Sequence, residues 1–254
     1  MKIATWNISA GINTNDYVGE FFDKQKEANV DDRCLNDIAK ILVENNIDVI
    51  ALQEVVTTES FKYMEKLSEK TGLKYYDSFE NSPCHLIENA NFGIAVLSRY
   101  PIKLIKKQFF ENPNITKQTK KGLYYSHNKG YMAVEVMAEQ SIKLLTASLL
   151  PFHRFDRNIL EFKHLFNEFQ DFILENNVYA LGDFNAIEGK SNLQNVFDRI
   201  NLKYNFLFDE ITTNDNKKCD NILLPKNISI KDKYIVKNDD ISDHFLCVVE
   251  IWRC

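Results

Sequence analysis

The chain has 254 residues, with 31 Lys+Arg against 36 Asp+Glu and a net charge of −5. Hydrophobic residues make up 44%, including 18 Phe and 11 Tyr, which excludes a disordered polypeptide. The mild acidity excludes a generic basic coat for nucleic acid, and no run of about 20 apolar residues offers a membrane-spanning helix.

The elements are read in chain order. Lys2–Ile8 is a strand, followed by an irregular polar stretch over 10–30. A helix is expected from Asp31-Asp32, carboxylates that suit a helix N-terminus. Leu35, Ile38, Ala39, Leu42 and Val43 form one face of it. Asp48–Gln53 is a short buried strand. A helix over 58–70 is closed by Gly72. Strands follow near 73–78, 92–98 and 102–107, then an antiparallel pair at 130–137 and 141–148. A long helix is expected over 155–175, with Ile159, Phe162, Leu165, Phe166, Phe169, Phe172 and Ile173 as its apolar stripe. Val178–Leu181 is a strand running into Gly182-Asp183-Phe184-Asn185. A helix over 191–200 and strands near 220–224, 228–236 and 245–252 complete the chain. Strands outnumber helices and hairpins interrupt the βα alternation, so two packed sheets flanked by helices are favoured over a Rossmann layout.

Eight glycines and five prolines supply no flexible linker, and no repeat is present. The expectation is a single domain over 1–254. Nothing after Met1 has the form of a secretory leader, which gives the expectation of a cytoplasmic protein, or else of a mature form whose leader has been cut away. Cys34, Cys84, Cys219, Cys247 and Cys254 show no CxxC spacing and read as reduced thiols, not as a disulfide framework or a zinc site. Residues 106–131 stand apart as a basic and aromatic loop segment. Lys106, Lys107, Lys117, Lys120, Lys121 and Lys129 face one acid, Glu111, and Phe109, Phe110, Tyr124, Tyr125 and Tyr131 are interleaved. The segment reads either as a solvated loop anchored by its rings or as a surface for single-stranded or distorted nucleic acid.

Polar residues gather at the strand ends. Asn7 closes the first strand and Glu54 follows the second. Asp183 and Asn185 follow Val178–Leu181, Asp220 opens Asn221–Leu224, and Asp243-His244 precede Phe245–Val249. Singly, each is an ordinary loop residue or cap. Together they are a set of hard oxygen donors with one imidazole, which suits Mg²⁺, or Mn²⁺, better than zinc. Phosphoester hydrolysis needs such a cation site, a base for water and donors for the charge on phosphate.

These segments resemble the endonuclease/exonuclease/phosphatase superfamily, with its DNase I-like fold. The resemblance lies in Thr5-Trp6-Asn7-Ile8, Leu52-Gln53-Glu54-Val55, Asn91–Ile102, Gly182-Asp183-Phe184-Asn185, Cys219–Leu223 and Ser242-Asp243-His244-Phe245, in that order. It implies an α/β fold, a four-layered α/β/β/α sandwich of two mixed, mainly antiparallel sheets, with a cleft at one end of both. It also implies roles. Glu54 is the main ligand of a divalent cation, with Asn7 and Asp243 in or beside its coordination shell. Asp183 positions or deprotonates the attacking water, and Asn185 holds water or phosphate. His244 donates to a phosphate oxygen, and Asp220 orients a histidine or steers the leaving group.

One departure concerns the leaving group. Many members carry a histidine in a T-H-L segment, where this chain has Thr146-Ala147-Ser148-Leu149. Ser148 stands at that position, and a serine is no general acid near neutral pH. His153 either reaches the site from five residues on or packs at the start of the long helix. Arg154 and Arg157 suit phosphate or a solvated helix end, and Lys120, Lys121 and Tyr124 are further candidate substrate contacts. The leading expectation is an Mg²⁺-dependent nuclease acting on DNA by in-line attack of water. The alternatives are a phosphodiesterase or phosphatase acting on a small-molecule, lipid or protein-linked phosphate, and a catalytically weakened binding module.

Overall fold

The structure is a computed structural model that describes residues 1–11, 32–57, 62–84, 87, 89–120, 122–238 and 241–252. In chain order its strands are β1 (Lys2–Asn7), β2 (Val49–Thr57), β3 (Tyr75–Pro83), β4 (Asn91–Ser98), β5 (Ile102–Phe109), β6 (Thr116–Thr119), β7 (Gly122–Tyr125), β8 (Gly130–Val136), β9 (Ile142–Ser148), β10 (Tyr179–Asp183), β11 (Tyr204–Phe206), β12 (Asp220–Pro225), β13 (Ile230–Val236) and β14 (Leu246–Ile251). The α-helices are α1 (Asp32–Glu44), α2 (Tyr63–Thr71), α3 (Asn167–Asn176) and α4 (Lys190–Val196).

Two six-stranded sheets form, in the orders β13-β14-β1-β2-β4-β3 and β11-β12-β10-β9-β8-β5. Each has one parallel pair, β1 with β2 and β10 with β9, and is otherwise antiparallel. The period-two side-chain alternation of a strand explains the layering. In β1, Ala4 and Trp6 pack outward with Leu35, Ile38 and Leu42 of α1, while Ile3 joins Val49, Val96, Leu144, Leu181, Ile222 and Val249 between the sheets. The second sheet's outer face, with Ala133, Leu145 and Ala180, is covered by Phe166, Phe169 and Ile173 around α3 and by Val196 of α4. The result is the expected α/β/β/α sandwich.

Along the strands the inward positions change character. Ile3, Val49, Leu144 and Leu181 are apolar, and Thr5, Gln53 and Thr146 follow as fully buried polar residues. Thr5 Oγ1 donates to Gln53 Oε1 at 3.2 Å, and Gln53 Nε2 donates to Thr146 Oγ1 at 3.1 Å. This chain of hydrogen bonds joins the sheets beneath the next inward positions, Asn7, Ser148 and Asp183.

Several sequence expectations are corrected. The helix expected over 155–175 is broken. Phe152–Phe155 and Ile159–Phe166 are 3₁₀ segments, and an α-helix begins only at Asn167. The cause is visible in the stripe: Ile159, Phe162 and Leu165 recur every three residues, the 3₁₀ period. Asp156 turns left-handed between the two segments, and Asn158 and Glu161 cap the second with a reciprocal capping box. The segment 106–131 is not one loop, because β5 runs to Phe109 and Thr116–Tyr125 forms the separate β6–β7 hairpin. Its β-branched and aromatic residues, with Gly122 at the turn, suit that hairpin. The helix expected over 191–200 stops at Val196, and the short edge strand β11 went unread. The start of the helix expected over 58–70 lies outside the described residues, and α2 begins at Tyr63.

The buried bridge gives a stability test. Gln53→Leu leaves the hydroxyls of Thr5 and Thr146 without their amide partner and is expected to cost about 1–3 kcal/mol. Adding Thr5→Val and Thr146→Val should recover much of that loss, as read by urea denaturation. A triple variant less stable than Gln53→Leu alone would contradict the bridge.

Candidate active site

Backbone register builds the site. At the end of the second sheet, Gly130 pairs with Ser148, Ser148 with Asp183, and Asp183 with Asp220, one level row across four strands. Facing them, Asn7 pairs with Gln53 on the first sheet. Immediately after Gln53 the register of β2 shifts in a bulge. Regular alternation would send Glu54 to the face of Ile50 and Leu52, under the helices. Instead Glu54 takes a left-handed backbone, φ 53°, and its carboxylate is re-aimed into the cleft. Ser9 (φ 45°) and Asn185 (φ 48°) are left-handed too. Strain on the order of 1 kcal/mol per residue therefore collects where the polar side chains converge.

Asp183 is held from three directions. Its Oδ2 accepts from Asn7 Nδ2 at 3.2 Å and from Asn185 Nδ2 at 3.0 Å, and its Oδ1 accepts from the Asn185 backbone N–H at 3.0 Å. Asn185 Nδ2 also reaches the Leu149 carbonyl at 3.0 Å. The Asn7 carbonyl oxygen Oδ1 accepts from the Ser9 N–H at 3.0 Å, and the Ser9 hydroxyl donates to Asp243 Oδ1. Ser242 Oγ donates to the Asn7 backbone carbonyl at 2.7 Å and accepts from the His244 N–H at 3.1 Å. His244 Nδ1 lies 2.8 Å from Asp220 Oδ2. The His244 backbone carbonyl accepts from Trp6 Nε1 at 3.0 Å, so the buried indole fixes the imidazole's strand as well as filling the core.

The electrostatics follow from crowding. Burial raises the pKa of Asp183 and Asp220 adds to the rise, against the opposing pull of His244 and Lys129. Burial likewise raises that of Glu54, with Asp243 adding to it and Lys129, Arg154 and His244 opposing. For His244, burial works against the charged form, but Asp220, Asp243 and Asp183 outweigh it and hold the imidazole well above its usual range.

Most residues singled out in the sequence meet here. Glu54, Asp243, Asn7, Asp183, Asn185, Asp220 and His244 form one connected cluster. Arg154 acts on Glu54 and hydrogen-bonds Tyr124, whose ring stacks on Phe155 at 4.9 Å. Ser148 is buried in the row and accepts a hydrogen bond from Lys129 Nζ at 3.3 Å. His153 does not join the carboxylates. It lines a side cavity of about 320 Å³ with Asn185, Arg157, Glu188 and Asn192, and its Nδ1 is buried with no hydrogen-bond partner. Burial, aided by Lys217 and Arg154, lowers its pKa to about 4, so it is neutral at pH 7. Lys120 is exposed at the hairpin turn, and Lys121 lies outside the described residues. Sequence reasoning gives no site role to Ser9 or Ser242 and places Lys129 only in the basic segment. Ser242 adjoins Asp243 in sequence, but the other two come in through left-handed backbone and strand pairing.

Two sets of groups suit a cation differently. Ligand atoms of Asp183, Asp220 and His244 lie within 4.8 Å of one another, but the imidazole and Asp220 already hydrogen-bond each other. Glu54 and Asp243 repel one another across the cleft. They offer the hard carboxylate oxygens that a divalent cation neutralises.

The comparisons give the family and the fold. The profile of the Endonuclease/Exonuclease/phosphatase family matches residues 4–244. The chain belongs to the endonuclease/exonuclease/phosphatase family. Members of this family are phosphoesterases and are generally dependent on a divalent metal. A family protein from Leptotrichia buccalis C-1013-b is 19% identical, with a TM-score of 0.65 over 100% of both chains. The mannosyl-6-phosphatase Bt3783 of Bacteroides thetaiotaomicron is 14% identical, with a TM-score of 0.60 over 100% of both chains. A humanized D. rerio TDP2 is 16% identical, with a TM-score of 0.60 over 98% of each chain. These identities carry the family fold. No curated protein sequence gave a significant match.

The two histidines are expected to titrate in opposite directions. In a pH series followed by NMR, His153 should protonate near pH 4, and His244 should stay protonated well above 6.5. Asp220→Asn should bring His244 down and leave His153 in place. The linked stability has opposite signs. The His153 contribution is full above the ordinary value of 6.5 and is lost as pH falls toward 4. The His244 contribution is present below its unfolded value and is lost as pH rises through its folded one.

Proposed function

We propose that this chain is a single-domain, divalent-metal-dependent hydrolase that cleaves a phosphoester by in-line attack of water. The observation that carries the proposal is the strained, bulged Glu54 facing Asp243 beside the triply held Asp183. Mg²⁺ is the preferred cation, with Mn²⁺ as a substitute, and Glu54, Asp243 and Asn7 Oδ1 are the groups that would hold it. When bound, it supplies positive charge to the phosphate oxygens.

The remaining chemistry belongs to the chain. Asp183 takes the proton of the attacking water, a role suited to a carboxylate whose pKa is raised toward the working pH. Asn185 and Asn7 fix both of its oxygens, so water is met in one orientation. His244, anchored through Nδ1 to Asp220, presents its other ring nitrogen as a donor to a non-bridging phosphate oxygen. Arg154, held by Tyr124, adds positive charge at the cleft wall.

The lysines bear on substrate size. Lys107 pairs with Asp77 and Lys117 with Asp156, each at 2.7 Å. Lys106 lies over the rings of Tyr131 and Phe172 at 5.7 and 5.2 Å. The basic segment is thus largely engaged within the protein, and the cavity beside Asn185 has the size and polarity for a compact polar group. A small-molecule phosphoester is the reading favoured here, and the mannosyl-6-phosphatase neighbour is in keeping with it. DNA is the second reading, supported by exposed Lys120, Leu123 and Tyr125 on the hairpin.

The test compares p-nitrophenyl phosphate, bis(p-nitrophenyl) phosphate and supercoiled plasmid, each with Mg²⁺, with Mn²⁺ and with chelator. Turnover that requires metal and falls at least ~10²-fold in Asp183→Ala is expected. Plasmid nicking with no small-ester cleavage would favour DNA. Activity that survives both chelator and Asp183→Ala would overturn the mechanism. Glu54→Gln should weaken Mn²⁺ binding in calorimetry while the fold is kept.

A further inference from the structure

Among the described residues, His244, Arg154 and Lys129 act on the site carboxylates, and His153 lies to one side of them. Three are poorly placed to hand a proton to a departing oxygen. His153 is turned into the side cavity and is neutral at pH 7. His244 is tied through Nδ1 to Asp220 at 2.8 Å, on the far side of Asp183 from Ser148, and its other ring nitrogen serves the non-bridging oxygens. Arg154 carries a guanidinium, which does not give up a proton in proteins.

Lys129 differs from all three. It immediately precedes Gly130, the first residue of β8, and Gly130 pairs with Ser148 in the row that contains Asp183. Its ammonium donates to a neutral hydroxyl, Ser148 Oγ, at 3.3 Å, and acts on both Glu54 and Asp183. An ammonium has three donors, and this hydrogen bond uses one of them. Asp220 and His244 flank Asp183 on one side, and Ser148 with Lys129 flanks it on the other. In-line displacement places the attacking and leaving oxygens on opposite faces of phosphorus, and a phosphate whose leaving oxygen is turned toward Ser148 meets the Lys129 ammonium there.

We propose that Lys129, steered by Ser148, is the catalytic residue that protonates the leaving oxygen; the proposal rests on the phosphoesterase reading above. In the step, the water oxygen bonds to phosphorus and its proton goes to Asp183. The bond from phosphorus to the leaving oxygen breaks with its electron pair on that oxygen, which takes a proton from the Lys129 ammonium. The Lys129 amine then regains a proton from solvent as Asp183 releases its own. The hydroxyl of Ser148 orients the amine and exchanges no proton.

The test uses paired substrates that differ in the leaving group. The monoester pair is p-nitrophenyl phosphate and a hexose 6-phosphate. The diester pair is a nucleoside p-nitrophenyl phosphodiester and the matching dinucleotide. Nitrophenolate departs without help, whereas an alkoxide needs a proton. In Lys129→Ala, kcat on the alkyl member should fall ~10²-fold or more beyond any loss on the nitrophenyl member. Lys129→Arg keeps charge and bulk but cannot release a proton, so it should remain slow on the alkyl ester. Combining Lys129→Ala with Ser148→His should restore alkyl turnover. Equal losses on both members, or full activity of Lys129→Arg on the alkyl ester, would overturn the assignment and leave the phosphoesterase reading standing. Wild-type protein that cleaves none of the four esters with Mg²⁺ or Mn²⁺ overturns that reading, and the role of Lys129 with it.

Discussion

The hydrogen bond from Asn7 to Asp183 is the constraint on which the rest of the site depends. Asn7 ends a strand of one sheet and Asp183 ends a strand of the other. Their 3.2 Å separation is meaningful only if the sheets keep one offset and one angle. Packing of apolar side chains tolerates some sliding, whereas a directional bond does not. Below it, the Thr5–Gln53–Thr146 bridge repeats the restraint with fully buried groups that have no water to fall back on. Two polar crossings at successive inward levels turn a pair of packed sheets into a defined cleft.

The cleft is electrostatically costly, and that cost is informative. Glu54, Asp243, Asp183 and Asp220 lie close together, with Glu54 and Asp183 pushed toward their neutral forms. A fold selected for stability alone would not assemble them. The left-handed residues Ser9, Glu54 and Asn185 add backbone strain at the same place. Both penalties are offset elsewhere, by the apolar layers above and below the sheets, and the electrostatic one diminishes when positive charge enters the cleft.

Much of this was legible in the chain. Period-two alternation marks the inner faces, and the strand-end positions Asn7, Asp183, Asp220 and His244 mark the cleft, because strand geometry converts sequence spacing directly into direction. Glu54 was legible as a strand-end residue, but the bulge that re-aims it was not, since a register shift has no fixed residue signature. The stripe from Ile159 to Ile173 reads as one helix because Phe162, Phe166, Phe169 and Ile173 recur at the four- and three-residue spacings of an α-helix, which masks the three-residue run from Ile159 to Leu165. Lys129 was counted with a surface patch. Its position depends on the pairing of β8 with β9, a relation between residues almost 20 apart that the local sequence does not state.

The indole of Trp6 has a further consequence. It is fully buried beneath the site and bonded to the backbone of His244, whereas the other tryptophan, Trp252, is 57% exposed. The protein therefore carries an internal fluorophore at the base of its cleft and a solvent-facing one that iodide can quench. Replacing Trp252 by Phe would leave a single indole emitter, whose wavelength and lifetime follow its hydrogen bond to the His244 carbonyl. Movements of the site could then be timed optically with no label attached.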